Sequence, residues 1–299
     1  MIRHDDLRYE PHLALALGGG GALGAAHVGV LQVLHERAIA PSTVVGTSIG
    51  AVVGAAYAAE IDPYELEELV LKAEWGDFGT LSITPGLGIL NTDGLRKTIE
   101  SVTKSLKIED LPIRFGAVAS DIAQGGSVLL DSGDLYPAVA ASISVPGIFR
   151  PTTLNGHRLI DGGVYQNLPL DAAFEMGAKH VIGVRLVPEW DSFAMGFSSV
   201  KVHELEIRSD VTLISPKLGH RSQWVKGDIP WLIDAGREAA ELALAEYDVL
   251  TARPAPVAAA PVVLGGAIAQ AASTVEDNPA DPPVAATHQH VLGAFFRRR

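Results

Sequence analysis

The sequence predicts an α/β fold in which a mostly parallel sheet is covered by helices on both faces. Three observations carry that expectation. Short apolar runs ended by glycine alternate with stretches of helical periodicity, the pattern of repeated βα units. Two of those units pass from strand to helix through glycine-rich turns, at residues 18–24 and 46–50. The 299 residues are 47% hydrophobic and 19% charged, which supplies a large core and excludes a disordered chain.

Residues 13–17, LALAL, are an apolar run closed by glycines, as a buried parallel strand requires. Val28, Leu31 and Leu34 then recur at helical spacing between residues 24 and 37, completing the first βα unit. Residues 43–45 are a second strand, and the AVVGAAYAA stretch after residue 50 reads as a helix whose small residues pack close to the sheet. Asp62 suits an N-cap and Pro63 the first position of a helix carrying Leu66, Leu69 and Val70. Residues 75–90 read as a glycine-punctuated apolar loop, and residues 93–105 as an amphipathic helix. Further strands are expected at 115–119, 127–130, 158–160 and 180–186, with helices at 135–142 and 231–250. From about Thr251 the chain turns Pro- and Ala-rich, with few charges before Arg297, Arg298 and Arg299, and reads as a flexible tail. The expected division is a short extension (1–12), one folded domain (13–250) and the tail (251–299).

Composition narrows function. A net charge of −12 argues against general attraction to nucleic acid. The absence of cysteine excludes disulfides, a thiol nucleophile and Cys-ligated metals. No histidine cluster has metal spacing, and neither a metal nor another cofactor is expected. The apolar stretch 13–34 is broken by four glycines, His27 and Gln32, so neither a membrane span nor a secretory signal is expected. The expected location is the cytoplasm, peripheral at membranes.

The most specific local signal is Gly46-Thr47-Ser48-Ile49-Gly50, a G-x-S-x-G between a strand and a helix. Small neighbours permit a sharp turn that lifts the serine hydroxyl clear of the sheet, and the helix behind it offers N–H groups to developing negative charge. A plain glycine turn with an incidental serine is the alternative. The second signal is Gly18-Gly19-Gly20-Gly21-Ala22-Leu23-Gly24. It lacks the G-K-[ST] of a phosphate loop, and residues 40–45 hold no acid for a ribose, so an oxyanion hole beside Ser48 fits best. The third is Asp161-Gly162-Gly163 after an apolar pair, a tripeptide that by itself is most often a turn.

Taken together, in this order, the three signals resemble those of the patatin-like phospholipases, and the likeness runs from about Leu13 to Leu250. The block Ala141-Ser142-Ile143-Ser144-Val145-Pro146-Gly147-Ile148-Phe149 resembles the stretch before the aspartate in bacterial members. The resemblance implies a three-layer α/β/α fold and a Ser–Asp dyad, Ser48 and Asp161, that hydrolyses lipid acyl esters through an acyl-serine. It implies an oxyanion hole from Gly19, Gly20, Gly21 and Ile49, with Gly24, Gly46, Gly50, Gly162 and Gly163 as motif glycines. The expected partner is a lipid ester, reached by transient contact with a membrane surface or taken as a monomeric or micellar substrate, with no nucleic acid. The chain departs from the family at Leu23, where members commonly carry Arg or Lys, which leaves only backbone donors. Two other readings are kept: a lipid-sensing module without turnover, and a Ser–Asp–His esterase using His180, His203 or His220.

Overall fold

The computed structural model describes residues 9–72, 80–81, 90–91, 107–187, 204–219 and 228–251. The chain divides into two units, Met1–Arg253 and Pro254–Arg299, and every described residue belongs to the first. The expected helix at 93–105, most of the loop at 75–90 and the tail beyond Thr251 lie outside the described residues.

Ten strands are described: β1 (Glu10–Leu17), β2 (Pro41–Thr47), β3 (Thr80–Leu81), β4 (Leu90–Asn91), β5 (Arg114–Asp121), β6 (Ser127–Leu130), β7 (Thr152–Leu154), β8 (His157–Asp161), β9 (His180–Val184) and β10 (Val211–Ile214). The described α-helices are α1 (Ala25–Glu36), α2 (Ile49–Ala58), α3 (Pro63–Lys72), α4 (Leu135–Ser142), α5 (Leu170–Glu175) and α6 (Ile229–Thr251). The main sheet runs β10-β9-β1-β2-β5-β8-β7, with β6 also on β5. The β10-β9-β1-β2-β5 half is parallel throughout, while β6, β7 and β8 are antiparallel to their neighbours. β3 and β4 form a separate small antiparallel pair within the stretch expected to be loop.

The period-two alternation of β1 builds both faces of the sheet. Leu13, Leu15 and Leu17 join a core filled from α1, α2, α4 and α6, whereas Ala14 and Ala16 face a second core containing Leu170, Ala172 and Ala173 of α5. Helices on both faces make the expected three layers. α1 and α6 cross at glycines: a Cβ on Gly29 would stand 2.0 Å from the Ile233 carbonyl, and one on Gly236 2.0 Å from that of Ala26.

Several elements differ from the sequence reading. β1 begins at Glu10, inside the expected extension, because Glu10 pairs with Pro41 and its amide donates to the Ala40 carbonyl. A register shift before Ala14, with His12 at φ 67, takes up the polar residues there. β7, β10 and α5 are three to six residues long, too short to show a period.

Candidate active site

β2 ends at Thr47 and α2 starts at Ile49, so the whole reversal falls on Ser48, at φ 54 and ψ −124. A side-chain-bearing residue held there costs on the order of 1–3 kcal/mol, and persists only where its surroundings enforce it. They do so by leaving no room. A Cβ on Gly50 would lie 2.1 Å from the Leu17 carbonyl oxygen, and one on Gly46 2.3 Å from that of Gly50. The elbow is thereby pressed against the end of β1, and the half-buried Ser48 side chain stands at the carboxyl edge of the parallel strands.

Asp161 reaches Ser48 by a topological device. β6 occupies one edge of β5 along Ala117–Ser120. The other edge is shared by two strands: β2 pairs with β5 as far as Val118, and β8 takes over from Ala119, running the opposite way. β2 and β8 therefore meet end to end on one strand edge, where the last residue of β8 is Asp161 and the first after β2 is Ser48. Ser48 Oγ donates to Asp161 Oδ2 at 2.6 Å, and Asp161 Oδ1 accepts the Gly163 amide at 2.7 Å. Gly162 makes the junction possible, because a Cβ there would meet the Val118 carbonyl at 2.2 Å. Asp161 is 7% exposed, and burial raises its pKa to about 6 against the opposing hydrogen bonds from Ser48 and Gly163.

The glycine-rich loop wraps the same point. Gly18 N–H donates to the Val184 carbonyl and Gly19 N–H to that of Asn167, at 3.0 and 3.2 Å. Gly20 lies at φ 165 and ψ 12, and the left-handed turn falls on Gly21, at φ 54. Among the described residues, the amides of Gly20, Gly21 and Ile49 meet no protein acceptor, whereas that of Gly19 is engaged. Gly24 fastens the loop to the elbow, since a Cβ there would lie 2.2 Å from Ile49 Cγ1. Leu23 points into the main core. Arg185, which follows β9, is held by both carboxylate oxygens of Glu206.

Three further side chains brace the site. His27, fully buried in α1, contacts the Gly18 carbonyl through Nε2 at 2.8 Å, and burial lowers its pKa to about 4. The imidazole is therefore neutral, Nε2 carries the proton, and Nδ1 has no partner among the described residues. Asn167, 4% exposed, places Oδ1 against Gly19 and Gly163, and its Nδ2 is likewise unpartnered. Ser142 Oγ accepts the Ser48 amide at 2.9 Å. Sequence reading gave Asn167 no part, and its only signal was its place shortly after Asp161-Gly162-Gly163.

The histidines considered as a third catalytic group do not join this cluster within the described residues. His180 opens β9, pairs in register with Leu13 and bonds Thr212 Oγ1 at 2.8 Å. That is the amino end of the parallel strands, about 13 Å of strand away from the Ser48 edge. His203 and His220 lie outside the described residues. A second acid–imidazole pair, Asp121 Oδ2 with His157 Nδ1 at 2.6 Å, fixes the turn after β5. A cavity of about 490 Å³ between β10 and α6 contains none of the candidate residues. Among the described residues there is no cluster of acids and histidines fit to hold a metal, and no helix is long and apolar enough to cross a membrane.

A serine on a strained elbow, bonded to a buried carboxylate and flanked by open amides, thus stands at the carboxyl edge of an α/β sheet. The chain belongs to the patatin-like phospholipase family, whose profile matches residues 15–174, just over half of it. It is 37% identical over 185 residues to an uncharacterized NTE family protein of Mycobacterium tuberculosis, a match covering 59% of this chain and 49% of that protein. It is 36% identical over 181 residues to patatin-like phospholipase domain-containing protein 7 of Rattus norvegicus, covering 58% of this chain and 13% of the rat protein. The matched stretch thus spans about half of the mycobacterial relative and far less of the mammalian one. Its fold is similar to that of VipD from Legionella pneumophila, with a TM-score of 0.51 at 14% identity over 79% of this chain and 67% of that one. The type III effector protein ExoU gives 0.50 at 14% identity, over 80% and 54%.

Proposed function

We propose that this protein is a serine hydrolase of lipid acyl esters, working through the dyad Ser48–Asp161. The observation that carries the reading is the 2.6 Å hydrogen bond from Ser48 Oγ to a carboxylate that is 7% exposed. In water a carboxylate is a weak base toward an alcohol, and burial strengthens it. Membership of the patatin-like phospholipase family supports the ester-hydrolase class.

In this reading Asp161 Oδ2 takes the Ser48 proton as Oγ attacks the ester carbonyl carbon. The oxyanion is held by the amides of Gly20, Gly21 and Ile49, each donor worth about 3–4 kcal/mol of barrier. Gly19 joins them only by releasing the Asn167 carbonyl. Collapse expels the alcohol, which leaves with the proton from Asp161. A water molecule then gives its proton to Asp161 and attacks the acyl-serine; collapse releases the fatty acid, and Asp161 returns the proton to Ser48 Oγ. Leu23 contributes no charge to the oxyanion, so the reading relies on backbone donors alone.

The test is hydrolysis of a p-nitrophenyl acyl ester and of phospholipid by purified protein, with fluorophosphonate labelling of Ser48. Turnover and labelling together support the hydrolase. Lipid binding without either returns the protein to a sensing module.

A further inference from the structure

We propose that Ser142 is a positioning residue that holds the Ser48 elbow in its reactive conformation; this rests on the hydrolase reading above. The observation is a hydroxyl inserted at the seam of the sheet. Val118 is the last residue of β5 paired with β2, opposite Thr47. Beyond it, β8 occupies the edge of β5 and the β2 ladder is finished. Ser142 Oγ donates to the Val118 carbonyl at 2.6 Å and accepts the Ser48 amide at 2.9 Å. A side-chain oxygen thus stands between a donor just past the end of one strand and an acceptor of the next.

Local chemistry explains why a hydroxyl is needed. The β2–β5 ladder ends at Thr47 and Val118, so the Ser48 amide lies one residue past it, and Val118 is buried. Each group needs a partner of the opposite kind, and a hydroxyl supplies donor and acceptor on one atom. Ser142 is fully buried at the C-terminal end of α4, a helix packed on β5, β7 and β8. It therefore references the nucleophile to the same strand edge that references Asp161. The serine and its base are aligned to one carbonyl row, and Ser142 is the link on the serine side.

Losing that link lets Ser48 relax from its positive-φ geometry without touching the dyad directly. A displacement of about 1 Å at a reacting centre costs on the order of 10²-fold in rate. The experiment compares Ser142→Ala, Ser142→Thr and Ser144→Ala by fluorophosphonate labelling rate, ester kinetics, melting temperature and hydrogen exchange of the Ser48 amide. Ser144 loses an equally buried hydroxyl, which bonds Ala140 and Thr152 but not Ser48. The expected result is that Ser142→Ala lowers labelling and kcat by about 10²-fold with KM little changed, and speeds exchange at Ser48. Ser142→Thr, which keeps the hydroxyl, restores much of the rate and the exchange protection, and Ser144→Ala leaves both near wild type. If Ser142→Ala does not fold, Ser142→Cys, of similar shape and weak hydrogen bonding, takes its place with the same expectation.

Labelling and Ser48 exchange in Ser142→Ala within threefold of wild type would overturn the proposal while the hydrolase reading stands. A drop in melting temperature with unchanged labelling would overturn it too, because the serine would then be structural only. If the wild-type protein neither labels nor turns over, the hydrolase reading fails. The exchange measurement then decides the strut alone: unchanged exchange at Ser48 overturns it.

Discussion

The parallel half of the sheet and its antiparallel flank contribute to the site in different ways. The parallel half brings the glycine loop and Ser48 by strand–turn–helix units, each built within a stretch of about 25 residues. The flank brings Asp161 on β8, which lies 113 residues from Ser48 and reaches it only by sharing an edge of β5. A local unit can be made reactive by its own turn. A group delivered across the fold depends on the register of every strand between. In the proposed reading, the nucleophile is therefore a property of a motif, and its base is a property of the topology.

The largest effects should come from cutting the two halves apart chemically. Ser48→Ala and Asp161→Asn are each expected to lower ester turnover by at least about 10⁴-fold, and the double variant by no more than the worse single one. Retention of a few per cent of activity by either purified variant would break the assignment. Next come the glycines of the parallel half. Gly50→Ala must push against the Leu17 carbonyl and should lose on the order of 2–3 kcal/mol, visible in chemical denaturation. Gly20→Ala meets only the Leu186 side chain, at 3.0 Å, so it should fold normally and lower kcat about tenfold with KM little changed. Equal damage from both would mean that loop and elbow are not packed as described.

A pH series sharpens the comparison further. Asp161 must be ionised to act, so kcat should rise with pH to a plateau above about 6, falling about tenfold per unit below it. Stability carries the two signs. Raising the Asp161 pKa from its unfolded value to about 6 means that stability present below pH 4 is lost as pH rises through 6. Lowering that of His27 to about 4 works oppositely: stability present above pH 6.5 is lost as pH falls through 4. Asp161→Asn removes the first slope, so its melting temperature should exceed that of wild type at pH 7, with the gap closing toward pH 4. The smallest effect is expected from His180→Ala, at the far end of β9: turnover on a soluble ester within about tenfold of wild type, as packing loss alone allows. A loss near 10⁴-fold would place a histidine in the machinery.

Most of the parallel half was legible because its signals are local. The run LALAL, the glycine turns and the small-residue helix after Ser48 each fix an element by period or by sterics. Asp161 was legible only through the family pattern, because a D-G-G tripeptide says nothing of the strand edge it will share. Ser142 stood in a recognisable block, yet its hydroxyl had no visible task until Val118 and Ser48 were brought to either side of it. Asn167 and the β10 edge were illegible for the same reason. Short segments carry no period, and a buried amide is defined by its neighbours.

The place of β1 in the sheet has a consequence for how the chain comes to be folded. One edge of β1 is covered by β2, which follows closely, but the other is covered only by β9. During synthesis the Leu13–Leu17 ladder therefore waits half-paired until His180–Val184 emerges, long after its own helix and the elbow have been made. Pairings so distant in sequence close slowly, and an unpaired apolar edge invites other chains while it waits. In the proposed reading the serine is translated early, and the carboxylate that would activate it arrives only as that closure nears. In that reading a nascent chain carries an inert alcohol until the antiparallel flank has been added.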